Sequence, residues 1–309
     1  MSALRFAVCS FDRVFDTAPK QETVTLQQLV SALLRFDLKP DLERRVSRLM
    51  GKIDRTWETW EAGGYRPGKQ FAALKKAADT AKREGKDVDE AVRTALDRLR
   101  TDVRGMPKRD LRLWSPTLYK PNARRGGDDV VHLSCLVLDY DKGLGFEEAQ
   151  APWLDYFHLA HSTWSYTPAK PKFRMVLPLA GPVRPRDWRT VWNWAFGITG
   201  DWIDPAMKGI GVTFALPSSP GFEATKIAVL HDDAPLLDPL SEGLITDYAP
   251  PPPVVAEIDR PDSHFNGGIR GHTYQELCPD EVQEVLTLED EGQSWDEGSD
   301  EWETLFDDI

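Results

Sequence analysis

The run Leu133-Ser134-Cys135-Leu136-Val137-Leu138 is almost wholly apolar and ends in Asp139-Tyr140-Asp141. A strand alternates its side chains with period two, so Asp139 and Asp141 project to the same side. Two carboxylates about 5 Å apart repel by about 3 kcal/mol at an effective dielectric near 20. Something must offset that repulsion, and a divalent cation is the usual answer. Asp87-Val88-Asp89 has the same spacing in a polar helical stretch, so spacing alone says little. The buried-strand setting is what makes the first pair informative. The alternative is a strand that simply ends in an acidic loop.

A chain of 309 residues holds one large domain or two modest ones. No apolar run approaches membrane-spanning length, so no membrane partner is expected. The first residues carry no long apolar stretch of the secretory kind. Cys9, Cys135 and Cys278 form no Cys-x-x-Cys pair, which argues against a disulfide framework or a structural zinc site. A reducing cytoplasm is the expected location.

The net charge of −12 divides unevenly. Residues 251–309 carry 2 basic and 17 acidic side chains, whereas residues 1–250 carry 36 and 33. An acidic tail is thus appended to a slightly basic body. Arg104, Lys108, Arg109, Arg112, Lys120, Arg124 and Arg125 form a basic run against Asp110 alone. It leads into the Asp139 strand, and a basic approach to an acidic centre suits a polyanionic substrate. A solvated charged surface is the plainer alternative.

The pattern predicts a strand over residues 3–10 and an amphipathic helix from Thr25 to Phe36. A helix over 41–61 has Leu42, Val46, Leu49, Ile53, Trp57 and Trp60 on one face. Helical pattern continues over 69–83 and 88–99. Strand-like runs follow at 130–140, 156–164, 173–179, 211–216 and 226–230. A short helix after Phe146 and a Trp-rich helix over 186–196, opened by Pro185, lie between them. This rhythm predicts an α+β sheet domain. The expected division is a core of 1–37 with 106–235, a helical insertion at 38–105, and a Pro-rich linker with an acidic disordered tail at 236–309. Trp295, Trp302, Leu305, Phe306 and Ile309 lie among acids at the end, fitting either a solubilising tail or a peptide that docks on a basic partner. No phosphate loop of the Gly-x-x-x-x-Gly-Lys-Ser/Thr kind occurs.

Two further elements join the acidic strand. His161, Ser162, Thr163, Ser165, Lys172 and Arg174 flank a basic, Pro-bearing turn. Arg174 sits within an apolar run, where a lone charge is costly unless paired or used. It either pairs with an acid such as Asp139 or grips phosphate, and both can hold in the absence of ligand. Asp204 precedes the run at 211–216 and supplies a third carboxylate, with Asp201 its local competitor. Three carboxylates can hold two Mg²⁺ or Mn²⁺ ions. Asp-Pro is also a plain turn-former.

In this order the elements resemble the archaeo-eukaryotic primase superfamily, in the primase-polymerase branch of phages and plasmids. The matching residues are Arg124-Arg125 with Val130-Val131, Leu136 to Gly143, His161 to Ser165, Lys172 to Leu179, and Asp204-Pro205 through Leu216-Pro217-Ser218. They cover about 105–220. The resemblance implies an RRM-like catalytic core that binds nucleotides and divalent metal and makes or extends primers on single-stranded DNA. It implies that Asp139, Asp141 and Asp204 hold the metals. Ser165 and Arg174 fall where the family places its Ser-x-His nucleotide element, beside Lys172 and His161. The family also implies ribo- or deoxyribonucleoside triphosphates as substrates and a bacterial host. A replicative helicase or single-strand-binding protein would be met through 295–309. Two departures matter: Arg174 stands in the place of the His, and an Arg found in many relatives near Gly211 or Val212 is missing. The second leaves open a degenerate DNA-binding adaptor that recruits partners through its tail; a metal-dependent nuclease using the same acids is a further alternative.

Overall fold

The computed structural model describes residues 4–66, 68–220, 226–251 and Phe265, together with the backbone of His272–Thr273. The elements run β1 (Arg5–Phe11), β2 (Lys20–Thr25), α1 (Leu26–Leu33), β3 (Arg35–Leu38), α2 (Pro40–Glu61), α3 (Lys69–Glu84), α4 (Val88–Gly105) and α5 (Pro107–Asp110). Then come β4 (Leu113–Ser115), β5 (Thr117–Tyr119), β6 (Val130–Tyr140), α6 (Phe146–Gln150), β7 (His158–Ser162), β8 (Phe173–Val183) and α7 (Pro185–Thr199). The last strands are β9 (Phe214–Ala215), β10 (Ser218–Ser219), β11 (Ala228–His231) and β12 (His272–Thr273). The chain is α+β. It forms two compact units: one holds the described residues up to Lys39 and from Lys108 onward, the other is Pro40–Pro107.

In the sheet unit the main sheet has the order β11-β7-β8-β6-β5, antiparallel throughout. A second antiparallel sheet has the order β2-β1-β4-β9, and β3 lies between β10 and β12 in a third. The edge of β6 away from β8 is taken by β5 near its start and by Ile203 at its end, where Ile203 bridges Tyr140. Alternation along β6 divides the core. Leu136, Leu138 and Tyr140 pack with Trp153 and with Trp188, Val191 and Trp192 of α7. Cys135 and Val137 pack with Phe6, Val8, Trp114, Leu29 and Leu33 of the N-terminal layer. With both faces covered, β6 reads as a nearly unbroken apolar run.

Several boundaries differ from the sequence reading for physical reasons. Thr25 caps α1 through a reciprocal box with Gln28, so the helix starts where expected. It stops at Leu33, and Arg35–Leu38 turns into β3, which puts Phe36 into the core. β2 is largely polar, and pairing with β1 defines it. Packing also continues beyond residue 235. Leu237 is fully buried and bridges Leu179, and the Ala249 amide donates to the Pro182 carbonyl at 2.8 Å. The Tyr248 ring covers Gly181 so closely that a Cβ there would lie 2.6 Å from it. Phe265 is buried beside Trp114, ring centroids 6.3 Å apart. The acidic aromatic segment at 295–309 lies outside the described residues, as does Cys278. Cys9 and Cys135 are buried, and burial pushes both thiols up, Cys135 to about 12, so neither is a reactive thiolate.

His132 of β6 is 1% exposed, and neither ring nitrogen has a hydrogen-bond partner among the described residues. Burial holds its pKa down to about 4. The unfolded chain takes up that proton near 6.5, so between the two values the unfolded state binds more protons. The contribution of His132 is therefore complete above about pH 6.5, and about 3 kcal/mol of it is lost as the pH drops to about 4. Urea midpoints measured over that range should show the loss, and His132→Leu should flatten it. An equally steep dependence in the variant would place the titration elsewhere.

The helical unit has its own core of Ile53, Leu74, Ala78, Val92, Leu96, Leu99, Val103 and Met106. Trp57 and Trp60 pack against it half-buried. Gly85, at φ 66°, ends α3 in the left-handed region, and the Asp87 side chain accepts the Glu90 amide to start α4. No described helix is long and apolar enough to cross a membrane.

Candidate active site

The site begins with the register of three strands. Asp139 of β6 stands opposite Arg174 of β8, and Arg174 stands opposite His161 of β7. Directly opposed residues share a face, so the three side chains form one row across the sheet. The Asp139 carbonyl accepts the Asp204 amide at 3.0 Å on the other edge of β6. Asp139 and Arg174 are therefore a non-hydrogen-bonded pair, the kind whose side chains lie closest. Tyr140, between the two acids, points to the opposite face. There it stacks on Phe173 at 4.9 Å, and its hydroxyl accepts from Trp153 Nε1 at 3.2 Å. That clamp fixes the end of β6 and the direction of its carboxylates.

Arg174 and Asp139 form an ion pair with both side chains largely covered, 13% and 14% exposed. The pair is long: Nε lies 3.3 Å from Oδ1 without hydrogen-bond alignment, and Nη2 lies 3.5 Å from Oδ2. Well-made charge-assisted bonds are about 2.7–2.9 Å. The better contacts of Arg174 are elsewhere. Nη1 donates to the Ala215 carbonyl at 2.8 Å, and the guanidinium sits 5.7 Å over the Phe214 ring. β9 thus holds the arginine while the carboxylate is only loosely engaged.

One step outward lie Asp141, Lys172 and Thr163. The Thr163 amide donates to the Lys172 carbonyl at 2.9 Å, continuing the ladder. Neither Asp141 nor Lys172 has an ion-pair partner among the described residues. Lys226, 3% exposed, donates to the Thr163 and Trp164 carbonyls at 3.4 Å each. The sequence reading passed over Lys226, although a lysine heading the apolar run Ile227–Leu230 was the available signal. Ser165 is exposed in the turn, and no hydrogen bond joins it to the row among the described residues.

Asp204 is brought beside Asp139 by its backbone, whereas its side chain caps the turn Pro205–Lys208 by accepting the Ala206 amide at 2.9 Å. Asp201 is exposed, and its carbonyl accepts from Lys142 Nζ. Among the described residues no three His, Cys, Asp or Glu side chains are gathered tightly enough to hold a metal ion. The donor set still fits a hard cation, since all three candidates are carboxylates carried on adjacent backbone. Convergence requires Asp139 to release Arg174 and Asp204 to turn from its cap.

The basic run is divided between the two units. Arg104 belongs to the helical unit and the rest to the sheet unit. Arg112 lies 3.7 Å from Asp12, Lys120 pairs with Asp129 at 3.2 Å, and Arg125 donates to the Val14 carbonyl at 3.0 Å. Lys108 and Arg124 are exposed, and Arg109 is half-buried.

No family model, curated protein or solved structure matches this chain. A Cβ on Gly211 would lie 2.8 Å from the Gly126 carbonyl carbon and 3.1 Å from the Gly127 nitrogen. Ser115 Oγ tethers the same loop by donating to the Val212 carbonyl at 2.8 Å. Gly211→Ala should therefore cost about 1–3 kcal/mol through a forced backbone shift. Thermal denaturation checks this, and an unchanged midpoint would show that the two loops part freely.

Proposed function

We propose that the sheet unit is a metal-dependent nucleotidyltransferase that makes or extends primers on a single-stranded DNA template. The observation that carries the reading is the row Asp139–Arg174–His161 with Asp141 and Lys172 one step outward. It sets acids beside cations at one end of a buried sheet. The order β6-α6-β7-β8-α7, closed by Ile203 against the free edge of β6, supports an RRM-like core. Asp139, Asp141 and Asp204 would hold Mg²⁺ or Mn²⁺, which supplies charge neutralisation and an activated hydroxyl when bound. Arg174 leaves its long contact with Asp139 and takes a phosphate, kept in place by the Ala215 carbonyl and Phe214. Lys172 adds a second cation, Ser165 a hydroxyl at the turn, and buried His161 backs the arginine. The chain's own contribution is positioning and electrostatic stabilisation. Arg124 and Lys108 offer exposed charge for the nucleic acid.

The test is synthesis and extension on single-stranded DNA with Mg²⁺ or Mn²⁺ and nucleoside triphosphates. Metal-dependent incorporation is expected. The absence of a cation at Gly211 favours one other reading, an adaptor that binds DNA without chemistry. Salt-sensitive binding with no incorporation under either metal would establish it. DNA cleavage without nucleotides would instead assign the acids to a nuclease.

A further inference from the structure

Charge on α2 is segregated in a way its core packing does not require. At 3.6 residues per turn, Ile53, Trp57 and Trp60 fall on one side, and these pack into or against the helical core. Arg44, Arg45, Arg48, Lys52 and Arg55 fall together on one flank, and Glu43, Asp54, Glu58 and Glu61 on the other. The acidic flank is engaged at Asp54, which accepts from Arg100 of α4 at 2.8 Å. On the basic flank Arg44, Arg48 and Arg55 are exposed, whereas Arg45 and Lys52 are half-buried. Asp41 at the head of the stripe pairs with Arg44. The residues 40–107 as a whole carry 16 basic and 12 acidic side chains.

We infer that this flank of α2 is a binding surface for the phosphate backbone of single-stranded nucleic acid. From Arg45 to Arg55 the helix rises about 15 Å, with a cation about every 5 Å. Phosphates along one strand repeat at about 3.4 Å in a duplex and more widely when the strand is extended, so the stripe spans about four of them. Three arginines and a lysine in line on one helix give a track, not a point contact. A lipid surface is a poorer occupant, because the apolar side of α2 is spent on the core and no apolar face remains beside the cations to enter a bilayer. The surface belongs to the helical unit, and it stands or falls independently of the chemistry proposed for the sheet unit.

The experiment measures binding of a fluorescein-labelled oligothymidine to the full chain by anisotropy over 50–300 mM salt. Arg44→Gln with Arg48→Gln, Lys52→Gln and Arg55→Gln should weaken binding at least tenfold near 150 mM. It should lower the slope of log K against log salt by about 2–3, at about 0.7 for each phosphate of the single strand that is no longer neutralised. Arg48→Gln and Arg55→Gln, each exposed and singly made, should each lower it by about 0.7, which keeps the test if the fourfold variant misfolds. Glu43→Gln with Glu58→Gln and Glu61→Gln should not weaken binding. Unchanged affinity and slope in the stripe variants overturns the proposal. It is likewise overturned if a synthetic 283–309 peptide binds the full chain through these residues while DNA affinity is untouched, for then the stripe serves the chain's own acidic segment. Absence of nucleotide incorporation bears on the sheet unit alone.

Discussion

Asp141→Asn should lower the metal-dependent nucleotide incorporation proposed for this chain by about 10³-fold or more while leaving the urea midpoint nearly unchanged. A metal held by the proposed carboxylates would supply several kcal/mol of charge stabilisation, and each 1.36 kcal/mol is a factor of ten. Asp141 has no ion-pair partner among the described residues, so its loss costs the fold little. Asp139→Asn behaves differently. It should abolish the proposed incorporation, and it also leaves the 13%-exposed Arg174 without its counter-charge. Stranding a covered charge costs up to about 3 kcal/mol, less than for a tightly made buried pair because this one is long. Adding Arg174→Met to Asp139→Asn should recover the stability without the activity. Single-nucleotide incorporation rates and urea denaturation on the same preparations check both statements. A wild-type rate in Asp141→Asn would remove the carboxylates from the chemistry.

A chain ended after residue 235 should fail to fold stably, although the sequence reads as coreless from there. The cut removes Leu237, Ile245 and Ala249 from the core, lifts Tyr248 off Gly181 and takes Phe265 from Trp114. Deleting one buried Leu or Ile side chain costs about 2–5 kcal/mol, so the sum reaches the whole of a typical stability of about 5–15 kcal/mol. Comparison of soluble yield and denaturation midpoint with the full chain measures the effect. An intact cooperative transition at the same midpoint would show that the segment only decorates the sheet.

The parts of this fold that showed in the sequence are those governed by local pattern. β6 was legible because a strand covered on both faces is apolar at nearly every position. α2 and α3 were legible because their apolar residues recur at three-to-four spacing. β2 and the segment from Leu237 to Ala249 were not, since their few apolar residues acquire meaning only from distant partners: β1 for the one, Leu179 and Gly181 for the other. The site divides in the same way. Alternation alone put Asp139 and Asp141 on one side. The opposition of Arg174 to Asp139 and His161 depends on register between strands that the sequence does not encode locally. Lys226 and the Ala215 carbonyl entered only through that pairing, and the division of the basic run between two units followed from the boundary at Lys108.

The contact between Gly211 and the Gly126–Gly127 backbone reaches past stability. Two loops that touch backbone to backbone cannot be altered one at a time. A side chain at position 211 requires the 126–127 backbone to lie further out. The two loops beside the start of β6 are therefore altered as a set, and an engineer who places a larger residue at 211 must redesign residues 126–127 in the same step.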